Sequence, residues 1–408
     1  MQVIIAGAGI GGLAAALALQ AAGHEVTVFE AAPHILPLGV GINLLPHAAE
    51  VLDELGLIDA LLAQGVATLE LVYFNRFGQR IWREPRGRSA GHAAPQISLP
   101  RGALQGVLFD AAVARLGEGR VVCDRRLAGH EQTSGAITAR FSDAGGEAHS
   151  VTADILIAAD GIHSVARAGL FPDEGPPVYG GRILWRATSL AQPFLTGASM
   201  IMAGHQDQKF VAYPISKPGP DGRQRINWIA ELRIAESLKR EDWNRSGDLA
   251  DFLPRFTDWR FDWLDVPGLI EGAEVVYEFP LVDRDPLPRW SHGRMTLLGD
   301  AAHAMYPIGS NGASQAILDA RALVRALGAH ADPVEALAAY EAERLPATAA
   351  IVRANRGNGP EQCMQMAQER APDGFTRIEE VFADGELAAI AARYKALTGL
   401  KPQPETAA

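Results

Sequence analysis

The stretch GDAAHAMYPIGSNGA, residues 299–313, brings a carboxylate, an imidazole and a phenol close together as Asp300, His303 and Tyr306. Those three groups are suited to general acid–base work, with His303 as the obvious base. The residues between them point to another use. Ala301 and Ala302 leave Asp300 room to reach a polyol chain, and the glycine-rich turn opens a long helix near Gly312. Free N–H groups and the positive end of that helix suit a developing negative charge. The apolar run 294–298 reads as a buried strand that delivers Asp300 to the carboxyl edge of a parallel sheet, where open α/β sheets bind ligands. A base must reach a substrate proton, and these residues alone leave open whether His303 does so or supports a ligand site.

Two further stretches carry chemistry. In GAGIGG, Gly7, Gly9 and Gly12 fit GxGxxG between the strand VIIA and the helix LAAALALQAAG. Gly7 permits the tight turn, Gly9 lets backbone approach a pyrophosphate, and Gly12 lets the helix pack against the strand. Glu30 ends the next strand, EVTVFE, 18 residues beyond Gly12, where a carboxylate can accept from ribose hydroxyls. The motif leaves NAD and FAD both open. The second stretch, ILIAADGIHSVAR, runs a buried strand into Asp160-Gly161 and then a helix with Ser164 and Arg167. Taken alone, its Asp-Gly is simply a turn.

The rest of the chain must position these pieces. Its 408 residues suggest two or three domains. A net charge of −11 without a long basic run argues against nucleic acid or an anionic membrane as partner. The two cysteines form no metal spacing and no disulfide framework, no leader precedes the first strand, and no apolar run spans a bilayer; a cytoplasmic protein without a metal is expected. Residues 71–97 and 180–280 read as short β-type runs and hold six of the seven tryptophans: Trp82, Trp185, Trp228, Trp243, Trp259 and Trp263. Most of these suit a core; a minority could wall a pocket for a flat ligand. A clear helix follows over 313–330, helical patterns continue over 333–356 and, after a polar break near 355–375, over 385–397, and the tail 401–408 reads as disordered.

The three motifs in this order resemble the fingerprint of the single-component FAD-dependent aromatic hydroxylases of the p-hydroxybenzoate hydroxylase type, over residues 1–350. PLGVGINLLPHAAEVLDELGL, WRAT, VAYPIS and VDRDPLPRW are similar to the salicylate hydroxylase and phenazine monooxygenase branch, in particular bacterial 5-methylphenazine-1-carboxylate monooxygenase. The resemblance implies an α/β protein: a Rossmann-like FAD-binding domain (1–70, 98–180 and 281–330), a β-sheet substrate domain (71–97 and 181–280), and C-terminal helices with a tail (331–408).

It also implies roles. Gly7, Gly9, Ile10, Gly11, Gly12, Glu30 and Ala31 would hold the ADP half of FAD, with Leu127 also on the cofactor side. Arg101 would reach the phosphates or ribose, Asp160 would serve FAD and a passing NADH or NADPH, and Asp300 would bond the ribityl chain, with His303 one turn on as structural support, since this stretch would face the cofactor and not a substrate proton. Pro307, Asn311, Gly312 and Ala313 would face the flavin N1–C2=O edge, with Val40 and Gly41 beside the ring. Tyr213 is the candidate catalytic and substrate residue, joined at the pocket by Trp185 and Tyr306. Some relatives carry a histidine four residues before this tyrosine; Lys209 stands there instead, which puts a histidine base in doubt. His205 reads as a surface residue. The implied chemistry is reduction of FAD by NAD(P)H, capture of O₂ as a C4a-hydroperoxide, and hydroxylation of an aromatic or heteroaromatic ring, often a carboxylate that the hydroxyl can displace. A tetracycline-type monooxygenase, a flavin halogenase and a non-catalytic FAD-binding protein are the competing readings, and a homodimer is left open.

Overall fold

The computed structural model describes residues 1–36, 39–234 and 245–400; Trp243 and the tail 401–408 lie outside the described residues. A five-stranded parallel sheet is ordered Met295–Leu297, Ile155–Ala158, Gln2–Ala6, Glu25–Phe29, Val121–Val122. Its central strands are apolar runs because both faces are covered: Ile5, Ile155 and Ile157 are fully buried. The helix Ile10–Ala21 covers one face and packs against the long helix Gly312–Ala329.

Steric detail fixes the turn between the first strand and helix. Gly7 has φ +107°, and a Cβ there would sit 2.3 Å from the Ala159 carbonyl oxygen. A Cβ on Gly12 would lie 2.0 Å from the Gly7 carbonyl oxygen, so only glycine lets the helix come this close. Gly9 has an ordinary φ of −71°, and a Cβ there would meet nothing within 4 Å.

A seven-stranded sheet forms the second unit, ordered Tyr277–Asp283, Val178–Ala191, Gln224–Arg233, Gln208–Pro214, Ser199–His205, Glu70–Phe74, Arg80–Pro85. Side chains alternate across it. Ile183, Trp185, Phe210, Ala212 and Trp228 point to one face, where Phe252, Phe256 and Trp259 complete an aromatic core. The other face meets the parallel-sheet unit and the C-terminal helices Pro333–Arg356, Gln362–Arg370 and Glu386–Leu397. No helix among the described residues is long and apolar enough to cross a membrane.

The expected polar break at 355–375 is corrected: it contains the helix Gln362–Arg370. Only Cys363, Met364 and Ala367 of that helix are buried, a stripe too narrow to stand out among its glutamines and glutamate.

The glycine geometry yields a paired prediction. Gly12→Ala overpacks the turn and lowers unfolding stability by ~1–3 kcal/mol. Gly9→Ala stays within ~0.5 kcal/mol of the parent, because its methyl enters open space. Chemical denaturation of both variants decides it.

Candidate active site

Each of the three sequence motifs ends at the carboxyl edge of the parallel sheet. At the first, Glu30 Oε2 accepts from the Ala8 N–H at 2.7 Å and Oε1 from the Ala32 N–H at 2.8 Å. The carboxylate therefore braces the glycine turn, with Ala31 half-buried beside it. Gln105 Nε2 donates to the Ala8 carbonyl at 2.9 Å and ties the helix Arg101–Leu116 to the same turn. Ile10 packs into the core. Gly11 faces inward, since a Cβ there would come within 2.9 Å of Leu298 and 3.0 Å of Ala316. Leu127 is buried opposite Phe141, on the strand that begins where the Arg125 N–H donates to the Glu30 carbonyl.

Arg101 opens its helix and donates its backbone N–H to the Val40 carbonyl at 2.8 Å. Its guanidinium has no hydrogen-bond partner among the described residues; burial pushes its pKa down, and the Asp300 carboxylate pulls it the other way. Asp300 is exposed and Pro307 lies near it on the surface. A cation and an anion far apart in the sequence thus meet at the carboxyl edge of the parallel sheet, and the seam there toward the second sheet is the candidate groove.

At the second motif, Asp160 Oδ2 accepts from the Val165 N–H at 2.8 Å, while Oδ1 is buried without a partner. Burial raises the Asp160 pKa against the hydrogen bonds from Ser164 and the backbone. Ser164 caps the helix Val165–Leu170 by accepting from the Arg167 N–H at 3.0 Å. The buried Arg167 side chain pairs with Glu174 and donates to the Ala301 and Ala302 carbonyls, both at 3.1 Å. The arginine of one motif therefore holds the backbone of the other.

The stretch 299–313 forms a helical turn, Asp300–His303, then a loop, then the helix Gly312–Ala329. His303 is buried, with Nε2 2.6 Å from Asp319 Oδ2 and its ring against Trp290. The fully buried Asp319 also accepts from the Gly299 N–H at 3.1 Å and from Arg344 Nε at 2.7 Å. Burial alone would raise the Asp319 pKa; His303 and Arg344 overcome it and hold the carboxyl at about 2. Arg344 Nη2 goes on to Gln315 Oε1 at 2.7 Å, and Gln315 Nε2 donates to Asn311 Oδ1 at 3.3 Å. Asn311 Nδ2 then donates to the Tyr394 hydroxyl at 2.9 Å, and that hydroxyl donates to Asn355 Oδ1 at 2.7 Å. The Asn311 side chain thus points into this network, leaving the backbone of the loop and half-buried Gly312 and Ala313 at the groove.

On the sheet face opposite the aromatic core, Tyr213, Asn227 and Thr188 form one cross-strand row, and Val211, Ile229 and Arg186 the next. The Arg186 guanidinium is in hydrogen-bonding contact with the Tyr213 phenol, which burial pushes up to about 12. Asn227 Oδ1 accepts from the Gly41 N–H at 2.6 Å, and Arg186 Nη2 donates to the Gly41 carbonyl at 3.0 Å. Gly41 must be glycine here, since a Cβ would sit 2.7 Å from Asn227 Cβ. The buried Tyr306 joins the same face, packed with Leu184, Leu281 and Ile308.

Trp185 is corrected. It precedes Arg186 on the strand and so points to the opposite face, stacked on Phe252 at 4.8 Å and donating Nε1–H to Glu278 at 3.0 Å. Lys209 is buried between Glu231 at 2.9 Å and Glu361 at 2.6 Å; burial would lower its pKa, but the two carboxylates raise it. It is locked as a cation and offers no base. His205 is half-buried at its strand end.

Sequence reasoning missed Arg186, Asn227, Asp319, Arg344 and Tyr394. A signal existed for two of them. Arg186 is a cation inside an apolar strand, and Asp319 interrupts the apolar stripe Ala316, Ile317, Ala320, Leu323.

Removing the Asp319 charge strands two buried partners. Asp319→Asn is expected to cost ~3–5 kcal/mol of stability. In the parent, a carboxyl held below its ordinary 3.8 stabilises fully above that value and loses its contribution as pH falls toward about 2. Urea titrations of parent and variant from neutral to acid pH should converge only at the acid end.

The comparisons with known proteins agree with this geometry. The FAD binding domain family model matches residues 1–245 and 282–355. Phenazine 1,6-dicarboxylic acid hydroxylase PhzS of Lysobacter antibioticus is 48% identical over 362 residues, covering 87% of this chain and 89% of that protein. 3-Hydroxybenzoate 6-hydroxylase 1 of Aquipseudomonas alcaligenes is 30% identical over 361 residues, covering 86% of each. The solved structure of Klebsiella pneumoniae HpxO with FAD and uric acid shares the fold, with a TM-score of 0.74 at 22% identity, over 98% of this chain and 93% of that one. A Rossmann unit with all three motifs at one sheet edge, set against a second sheet, is thus matched along most of its length: the chain belongs to the FAD-dependent aromatic hydroxylases, flavoprotein monooxygenases that use NAD(P)H.

Proposed function

We propose that this enzyme hydroxylates a fused or substituted aromatic carboxylate of the phenazine-carboxylate type. The observation that carries the reading is the 48% identity, over nearly the full length, to a phenazine dicarboxylate hydroxylase. The sheet face supports it. Phe279, Leu184 and Ile229 supply flat apolar surface, while Arg186 and Tyr213 supply convergent polar groups.

The residues fit FAD. Gly9 leaves open space where a pyrophosphate would lie, Arg101 has an unpartnered guanidinium, and Asp160 has an orphaned buried oxygen. In this reading Gly7 to Gly12 and Glu30 to Ala31 hold the adenosine end, and Arg101 takes a phosphate or ribose oxygen. Asp300 takes the ribityl hydroxyls. The Pro307–Ala313 loop and the helix end face the ring edge, with Val40 and Gly41 beside it. When bound, FAD supplies the redox and oxygen-transfer chemistry.

This chain's own residues do the rest. The helix starting at Gly312 presents N–H groups to negative charge on the ring edge. The Tyr213 phenol, pushed up to about 12, stays protonated at neutral pH and so serves as an O–H donor to substrate. Tyr306 and Ile308 close the slot against water. The FAD-binding unit is taken as 1–70, 98–180 and 281–330, because most strands between fall in the seven-stranded sheet, the rest being the short pair Arg260–Phe261 and Leu264–Asp265. A reducing cytoplasm suits its two free cysteines, Cys123 and Cys363.

Two measurements test this reading. Asp300→Ala weakens FAD retention roughly tenfold by removing the ribityl partner, and Gly9→Ala also loses FAD while keeping its stability; flavin absorbance after desalting reads both. A panel of phenazine carboxylates, salicylate and hydroxybenzoates, assayed with NADH and with NADPH, is expected to give substrate-stimulated oxidation coupled to a hydroxylated product. Stimulation by none of them would sink the substrate assignment.

A further inference from the structure

One stripe of the long helix Gly312–Ala329, made by Gln315, Leu318, Ala322 and Arg325, faces a cleft of about 350 Å³. The helix Pro333–Arg356 supplies a second wall with Arg344, Ala347 and Ile351, and the end of the helix Glu386–Leu397 supplies a third. Alanines stand on all three walls, at 322, 347 and 396, and leave space that larger side chains would fill. Arg101, Asp300, Tyr213 and Tyr306 do not line it, so the cleft is separate from the candidate groove.

His47 gives the cleft a purpose. It sits in the first turn of the helix Pro46–Glu54, whose entry is tied to the long helix by the Leu45 N–H donating to Ser314 Oγ at 3.1 Å. The residue is only 8% exposed and lines the cleft, yet both ring nitrogens are buried without a hydrogen-bond partner among the described residues. Burial pushes its pKa down to about 3, and Arg344, Arg321 and His92 act in the same direction. The ring is therefore neutral at ordinary pH, with one N–H donor and one bare acceptor nitrogen. A buried donor without an acceptor is costly, and a ligand oxygen entering the cleft relieves it.

The surroundings define that ligand. Arg344 is already engaged by Asp319 and Gln315. Arg321 is freer: its carboxylate partner Glu54 stands 3.8 Å away and both side chains are exposed, so the pair is weak and open to a better acceptor. An anionic head thus fits between His47 and Arg321. Leu318, Ile351 and the exposed Leu397 offer apolar surface to the rest of the molecule.

We propose that this cleft is a second ligand site, for a small amphiphilic anion whose carboxylate or phosphate head takes the His47 N–H and the Arg321 guanidinium, and whose apolar body lies along Leu318, Ile351 and Leu397. The site stands or falls independently of which ring the enzyme hydroxylates.

Calorimetry on the FAD-loaded parent tests it with decanoate, decyl phosphate and decanol, each kept below its micelle concentration. These probes have no aromatic ring and no turnover is read, so their failure says nothing about the hydroxylation reading. At least one anion is expected to bind roughly tenfold or more tightly than decanol, and the tighter of the two identifies the head group. Arg321→Gln and His47→Phe should each weaken that anion roughly tenfold, with decanol changed by less than about threefold. Ala347→Trp fills the cleft and should abolish binding of all three. Flavin absorbance after desalting checks that each variant is folded, and the partly exposed Arg321 and Ala347 keep the test valid if the buried His47→Phe fails to fold. Equal binding of decanol and the anions would overturn the proposal. So would binding that survives Ala347→Trp, which would place the probe in the catalytic groove, and so would binding of neither anion, which would leave the His47 ring to water alone.

Discussion

A carboxylate with no solvent around it must be fully engaged, and Asp319 is engaged on three sides by Gly299, His303 and Arg344. Those partners belong to the end of a parallel strand, the turn behind it, and the C-terminal helix Pro333–Arg356. Asp319 itself lies on the helix whose N-terminus faces the groove. One buried charge therefore joins the two ends of the stretch 299–313 to each other and to the C-terminal helices. From Arg344 the same network runs through Gln315 and Asn311 to Tyr394 and Asn355.

That network explains how an unfavourable loop persists. Gly309 and Ser310 both have positive φ, +66° and +59°, and the serine has no glycine freedom to excuse it. Such a conformation is held only where surroundings over-determine it. Here the Tyr394 hydroxyl lies 3.2 Å from the Ile308 carbonyl oxygen, and Asn355 Nδ2 donates to the Tyr306 and Ile308 carbonyls. A Cβ on Gly309 would collide with the Tyr394 hydroxyl at 2.4 Å and its ring at 2.6 Å. The C-terminal helices are thus the wall against which this loop is set, rather than an appendage.

The local parts of this architecture were legible in the sequence because local chemistry determines them. The strand, glycine turn and helix at residues 2–21 follow from apolar runs and from glycines that no other residue can replace. His303 as support followed from the family resemblance, which sets it in the cofactor-holding stretch. What depends on cross-strand register was not legible. Period-two alternation says that Trp185 and Arg186 face opposite ways, but only the pairing of their strand with 224–233 and 277–283 says which face meets the groove. Tyr394 and Arg344 reach the loop from helices far along the chain, and nothing in their local sequence marks the partners they meet.

The charges around the groove follow one logic. Where the fold can supply a counter-charge it does so with close partners, as at Asp319, Lys209 and Arg167. At the carboxyl edge of the parallel sheet it withholds them: among the described residues Arg101 has only the exposed Asp300 for company, and Asp160 keeps a bare oxygen. Burial without compensation destabilises the empty protein, so these are positions where ligand binding and folding are linked. A flavin adenine dinucleotide brings a diphosphate toward the cationic side and hydroxyl donors toward the carboxylates. It brings nothing of full negative charge to the sheet face until it is reduced.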